Sequence, residues 1–142
     1  MSIRIYYDQI NFRIRKAREI KRFLDKVIRD ENKNPGDLVF ILADDETVLK
    51  INSEFLKHDY YTDVIAFDKS EGGLVSGEVF ISIDTVRVNA REYSCRLQGE
   101  VVRGMIHGVL HICGYRGGSI EERRKMFEVQ EEKVAQIRES LL

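Results

Sequence analysis

The chain predicts one domain of mixed strands and helices, α+β or α/β in class. Its 142 residues are a one-domain length, enough to bury a single core. Segments of strand period and of helical period interleave along it. No internal repeat, low-complexity tract or linker interrupts them, so 1–142 is expected to be a single domain.

Ile3, Ile5 and Tyr7 alternate with polar neighbours, as in a strand. From Phe12 to about Asn32, the apolar residues Ile14, Ala17, Ile20, Leu24, Val27 and Ile28 recur at the spacing of an amphipathic helix. Asn34-Pro35-Gly36-Asp37 holds the only proline and is expected to break the chain. Leu38 to Leu42 is a short apolar strand. Asp45 is an expected N-cap for a helix through Val48, Leu49, Ile51 and Phe55. Lys57 to Asp63 is polar and aromatic and is expected to be a loop.

Val64 to Phe67 reads as a strand, Lys69 to Gly73 as a turn, and Val75 to Ile83 as a second strand. Asp84 is expected to cap a helix to about Ser94. Gln98 to Cys113 is apolar through Val101, Val102, Met105, Ile106, Val109 and Leu110. A pattern that broad predicts a helix buried on most sides. Gly114 follows as its terminator. Ser119-Ile120-Glu121-Glu122 is a capping box opening a last helix with Met126, Phe127, Val129, Val134 and Ile137.

A net charge of −1 predicts no strong global attraction to nucleic acid, so any such contact must come from a local patch. Arg13, Arg15, Lys16, Arg18, Lys21 and Arg22 crowd the first helix with only Glu19 opposing them. They read either as a solvated face or as a phosphate-contacting surface. The mixed run from Glu121 to Lys125 reads as solvated. Cys95 and Cys113 lack framework or C-x-x-C spacing and are expected to be reduced thiols. The N-terminus has no long apolar stretch, and no apolar run approaches membrane-spanning length. A cytoplasmic protein is expected, with no membrane partner. No glycine-rich phosphate loop is present, and Gly72-Gly73 is only a turn, so no organic cofactor is expected.

The most informative stretch is His107-Gly108-Val109-Leu110-His111. Residues i and i+4 share one helix face, and two imidazoles there can grip one metal ion. The plainer reading is two histidines satisfied within the protein. Three features favour a metal. An imidazole in an apolar helix needs a partner. The pair lies near the helix end. Gly108 permits close approach of a backbone or a substrate. Gly108 also occupies the place of the glutamate in zinc peptidases, so a general base must come from elsewhere or be a metal-bound hydroxide.

These residues resemble the YbeY family of metal-dependent endoribonucleases, which mature ribosomal RNA. The family motif H-G-x-L-H-x-x-G-Y-x-H is matched at His107, Gly108, Leu110, His111, Gly114 and Tyr115. Ile51 to Phe67, Gly77 to Ser82, and Glu100 also resemble family segments, in order and spacing across most of 37–130. The resemblance implies an α+β domain: a small, mostly parallel twisted sheet with one antiparallel edge strand, packed by helices around a central histidine-bearing helix. It implies a single-strand-specific endoribonuclease acting in small-subunit rRNA maturation and ribosome quality control. It further implies one Zn2+ per chain on His107 and His111, with ribosomal RNA and ribosomal particles as partners.

The chain departs from that pattern twice. The third-ligand position is Gly117, which cannot ligate. Glu121 is then a candidate third ligand, with His58, a backbone carbonyl or water as alternatives and weak metal binding as the expectation. Leu56 stands where many members carry an arginine. Lys57 and His58 are the nearby substitutes, and Arg116 adds positive charge beside the site, so these three are the candidate catalytic residues. The first-helix cations become candidate RNA contacts. Tyr60, Tyr61 and Tyr115 are aromatics that stack on bases or pack. Asp63 either orients a histidine or caps a turn. The rival readings are an RNA- or ribosome-binding assembly factor with weakened or lost catalysis, and a zinc hydrolase of another substrate.

Overall fold

A four-stranded sheet carries the histidine helix against one face. The computed structural model describes residues 2–56 and 62–141. Its elements are β1 (Ile3–Asp8), α1 (Ala17–Asp30), β2 (Asn34–Ala43), α2 (Asp45–Leu56), β3 (Val64–Asp68), β4 (Leu74–Ser82), α3 (Ile83–Glu92), α4 (Leu97–Ile112) and α5 (Ile120–Leu141). The strand order is β1-β2-β4-β3. β1, β2 and β4 are mutually parallel, while β3 pairs antiparallel with β4 at the edge. This is the α+β arrangement implied by the resemblance.

Alternation along the strands sorts residues between two faces. Leu38, Phe40 and Leu42 of β2 and Val79 and Ile81 of β4 are fully buried in the main core with α1 and α4. The opposite face carries Ile41, Phe67 and Phe80, which pack with Val48 and Ile51 of α2. Phe67 meets both Phe55 and Phe80 edge to face, at 6.2 and 5.9 Å.

Two boundaries differ from expectation. Asn34 to Asp37 is strand, not a break. A register shift between Pro35 and Leu38 absorbs the proline, as bulges do. Gly36 lies so close to β4 that a Cβ there would sit 2.1 Å from Ser76 Oγ. The first helix starts at Ala17 rather than Phe12, because Lys16 is left-handed (φ 57°) and Arg15 is held from outside. Gln98 Oε1 accepts from the Arg15 amide and Gln98 Nε2 donates to the Arg15 carbonyl, each at 2.9 Å.

The helix caps also move. Asp44, not Asp45, accepts the Thr47 amide at 2.9 Å, and Ser82, not Asp84, accepts the Thr85 amide at 3.2 Å. Asp45 and Asp84 instead tie the two helix starts together. Asp84 Oδ2 accepts the Asp45 amide at 2.9 Å, and Asp45 Oδ1 accepts from the Thr85 hydroxyl at 2.6 Å and from the Ser82 hydroxyl.

α4 is the central helix. Val101, Val102, Met105, Ile106, Val109 and Leu110 are all 0% exposed. Each contributes roughly 1.5–3 kcal/mol by burial, as an upper bound. Glycine lets the helix sit close to the sheet: a Cβ on Gly108 would lie 2.7 Å from Val79 Cγ1. The close approach expected at Gly108 is therefore made by the sheet.

Gly108→Ala is expected to destabilise the protein by about 1 kcal/mol. Overpacking against the stiff Val79 costs roughly 1–3 kcal/mol, offset by roughly 0.8–1 kcal/mol of helix propensity. The loss should shrink in a Val79→Ala background. Urea denaturation of the four proteins in this cycle measures it, and unchanged stability for Gly108→Ala would contradict the seating of α4.

Candidate metal and RNA site

From Gln98 to Ile112, only Gly99, Glu100, Arg103, His107 and His111 of α4 escape full burial. The last four are spaced three, four and four, so they form one edge of the helix. His107 is exposed and His111 half-buried. Both line a cleft of about 290 Å³ with Asn52 and Leu56 of α2, Thr62, and Val64, Ile65 and Ala66 of β3.

Each imidazole is set by its surroundings. His107 Nδ1 lies 2.9 Å from Oε1 of Gln130 on α5, and Gln130 is only 7% exposed. Gln130 Nε2 donates to Glu131 Oε2 at 3.1 Å. Glu131 is ion-paired with Arg103, whose Nε donates to Glu100 at 3.1 Å. Burial, then the positive charge of Arg116 and the electrostatic influence of the neighbouring His107, hold the His111 pKa below its ordinary value, while Asp68 opposes them. A neutral imidazole is the form that binds a metal.

Arg116 does not line the histidine cleft, but its charge acts on His111. Its Nη1 reaches back toward the carbonyls of His111 and Tyr115 at 3.4 and 3.5 Å. Glu121 does not join the histidines: it is exposed and ion-paired with Arg124 at 2.9 Å. Among the described residues, no group of three histidine, cysteine, aspartate or glutamate side chains forms a metal site. The Gly117 position has room, since a Cβ there would meet only Arg123 Cγ at 3.5 Å. Ser119 Oγ accepts the Glu122 amide at 3.1 Å, confirming that cap. Lys57, His58, Tyr60 and Tyr61 lie outside the described residues.

The cations expected on the first helix lie elsewhere, and Arg13, Arg15 and Lys16 precede α1 rather than sit on it. Arg13, Arg15, Lys16, Arg18, Lys21 and Arg22 do not line the histidine cleft. Arg13 donates to the carbonyls of Ile10 and Phe12 and covers the Tyr7 ring at 4.4 Å. Lys16 Nζ donates to the Ser140 carbonyl at 2.9 Å. Arg15, Arg18 and Arg22 are exposed. Tyr115 packs against the core, where burial and the Glu31 carboxylate push its phenol up to about 12. Asp63 meets Asn89 at 3.4 Å through its carboxylate and accepts the Ser82 amide at its carbonyl, which ties it to β4 and α3 rather than to an imidazole. Cys113 is buried and Cys95 exposed, both free thiols as expected. Gln130, Glu131 and Arg103 were not singled out from the sequence. The spacing of Glu100, Arg103, His107 and His111 along one edge was the available signal.

With its pKa depressed, His111 is expected to titrate below pH 6.5. In the unfolded chain it would take up its proton near pH 6.5. The native state therefore loses stability as pH falls from about 6.5 through the lower native value. Arg116→Ala should raise the His111 midpoint toward the ordinary value. An NMR titration of the imidazole protons reads both, and a His111 midpoint above 6.5 would contradict this electrostatic account.

A family model described as Endoribonuclease YbeY matches residues 4–138. Proteins named Endoribonuclease YbeY are similar over nearly the whole chain. The Christiangramia forsetii protein is 37% identical over 130 residues, 92% of this chain and 91% of that one. The Parabacteroides distasonis protein is 38% identical over 135 residues, 95% of each. The Flavobacterium psychrophilum protein is 40% identical over 126 residues, 89% of this chain and 90% of that one. A Thermotoga maritima protein solved in solution superposes with a TM-score of 0.65 at 25% identity, covering 94% of this chain and 88% of its own. A central helix offering two histidines to one cleft, on this sheet and across this length of match, places the chain in the YbeY endoribonuclease family.

Proposed function

We propose that this chain is a zinc-dependent endoribonuclease that cuts single-stranded segments of ribosomal RNA precursors on ribosomal particles in the cytoplasm. The observation that carries the reading is the shared cleft of His107 and His111. Each imidazole can offer a lone pair to a cation. The Gln130 carbonyl occupies Nδ1 of His107 and leaves Nε2 for a ligand, and burial keeps His111 neutral. Bound zinc supplies Lewis acidity toward a phosphodiester.

The chain's own residues supply the rest. Arg116 sets a permanent positive charge at the His111 end of the cleft, where a phosphate is stabilised. Leu56, Val64 and Ala66 give the cleft an apolar wall, suited to an unstacked base that a duplex does not present. On the family resemblance, Lys57 and His58 join Arg116 in contacting phosphate. No helix among the described residues is long and apolar enough to cross a membrane.

The second reading is an RNA-binding assembly factor without efficient catalysis. The observation favouring it is that no histidine, cysteine, aspartate or glutamate joins the two histidines as a third ligand among the described residues.

Metal analysis and cleavage assays separate the two. Wild-type protein is expected to hold about one zinc per chain and cut single-stranded RNA. A chelator should abolish the cutting and zinc should restore it. His107→Ala and His111→Ala should each reduce cleavage by more than about 100-fold, since even outer-sphere losses cost about 10- to 100-fold. Gly117→His should tighten zinc binding. Zinc and cleavage found only in Gly117→His would establish the binding-factor reading.

A further inference from the structure

We infer that Gln130 is a positioning residue that decides which nitrogen of His107 can take a metal, and that the Glu131–Arg103–Glu100 chain decides which way Gln130 faces. The inference rests on the proposed metal reading and deepens it. A neutral imidazole carries one N–H and one lone pair. A carbonyl oxygen only accepts, so Gln130 Oε1 at 2.9 Å requires His107 Nδ1 to donate. The lone pair is then at Nε2.

An amide can flip, exchanging its oxygen and its NH2 group. The flipped amide would donate to Nδ1, move the His107 proton to Nε2 and remove the ligand. Glu131 opposes that flip. Its Oε2 accepts from Gln130 Nε2 at 3.1 Å, and after a flip two acceptors would face each other at a residue only 7% exposed. Glu131 is held in place by Arg103, and Arg103 by Glu100 at 3.1 Å. Charged side chains of α4 and α5 thus fix a neutral amide, and the amide fixes an imidazole. Glu100, Arg103 and Glu131 act through Gln130 without contact to the ligand.

Two measurements test this in wild type, Gln130→Leu, Gln130→Glu and Glu131→Gln. The first is the protonation pattern of the His107 nitrogens in metal-free protein, by nitrogen-15 NMR above pH 7.5. The second is zinc affinity by chelator competition, with thermal midpoints recorded alongside. Wild type and Gln130→Glu should carry the proton on Nδ1, because both present an acceptor. Gln130→Leu should show a mixture of tautomers and bind zinc about 10- to 100-fold more weakly. Glu131→Gln should shift both readouts in the same direction by less. It carries the test if Gln130→Leu does not fold.

A proton on Nε2 in wild type, or unchanged zinc affinity in Gln130→Leu and Glu131→Gln, would overturn the inference. A wild type with the proton on Nδ1 and no zinc affinity would instead refute the metal reading while leaving the Gln130 assignment standing.

Discussion

The molecule depends on how closely α4 is wrapped. Its apolar faces are sealed against the sheet, α1 and α5, and Gly108 brings its axis close enough to β4 for Val79 to fill the groove. A helix buried on so many sides has one edge left. Glu100, Arg103, His107 and His111 occupy that edge, so the packing that holds the core also selects the residues offered to solvent. Site and core are two sides of one helix, and a substitution that lifts α4 from the sheet disturbs both.

The edge is polarised along its length. Toward the N-terminal end, Arg103 is committed to both Glu100 and Glu131. Toward the C-terminal end, His107 and His111 face a cleft walled by α2 and the antiparallel strand β3. The edge strand leaves one flank of the sheet open, and the cleft lies there. Stabilising ion pairs and available lone pairs therefore occupy successive turns of the same helix.

Much of this was legible in the sequence where a pattern was long and locally caused. The breadth of apolar positions from Val101 to Leu110 marked α4 as central, and the i, i+4 histidines marked the site. What escaped was set by contacts distant in sequence. The start of α1 depends on Gln98 gripping Arg15, and nothing near Phe12 reports that. Proline and glycine at 35 and 36 normally punctuate a chain, but a bulge against Ser76 keeps them in β2. Asp45 and Asp84 resembled caps because aspartate suits a helix start, yet each serves the opposite helix. Gln130 carries no pattern of its own, and its importance comes only from facing His107 across two helices.

The central claim is that the two rings on α4 jointly hold one cation. The most direct measurement is an anomalous-scattering map from crystals of the wild-type protein grown with zinc. The account predicts a single strong peak within bonding distance of Nε2 of His107 and of a ring nitrogen of His111. Fully ordered rings with no peak between them, or a peak bound to one ring alone, would contradict it.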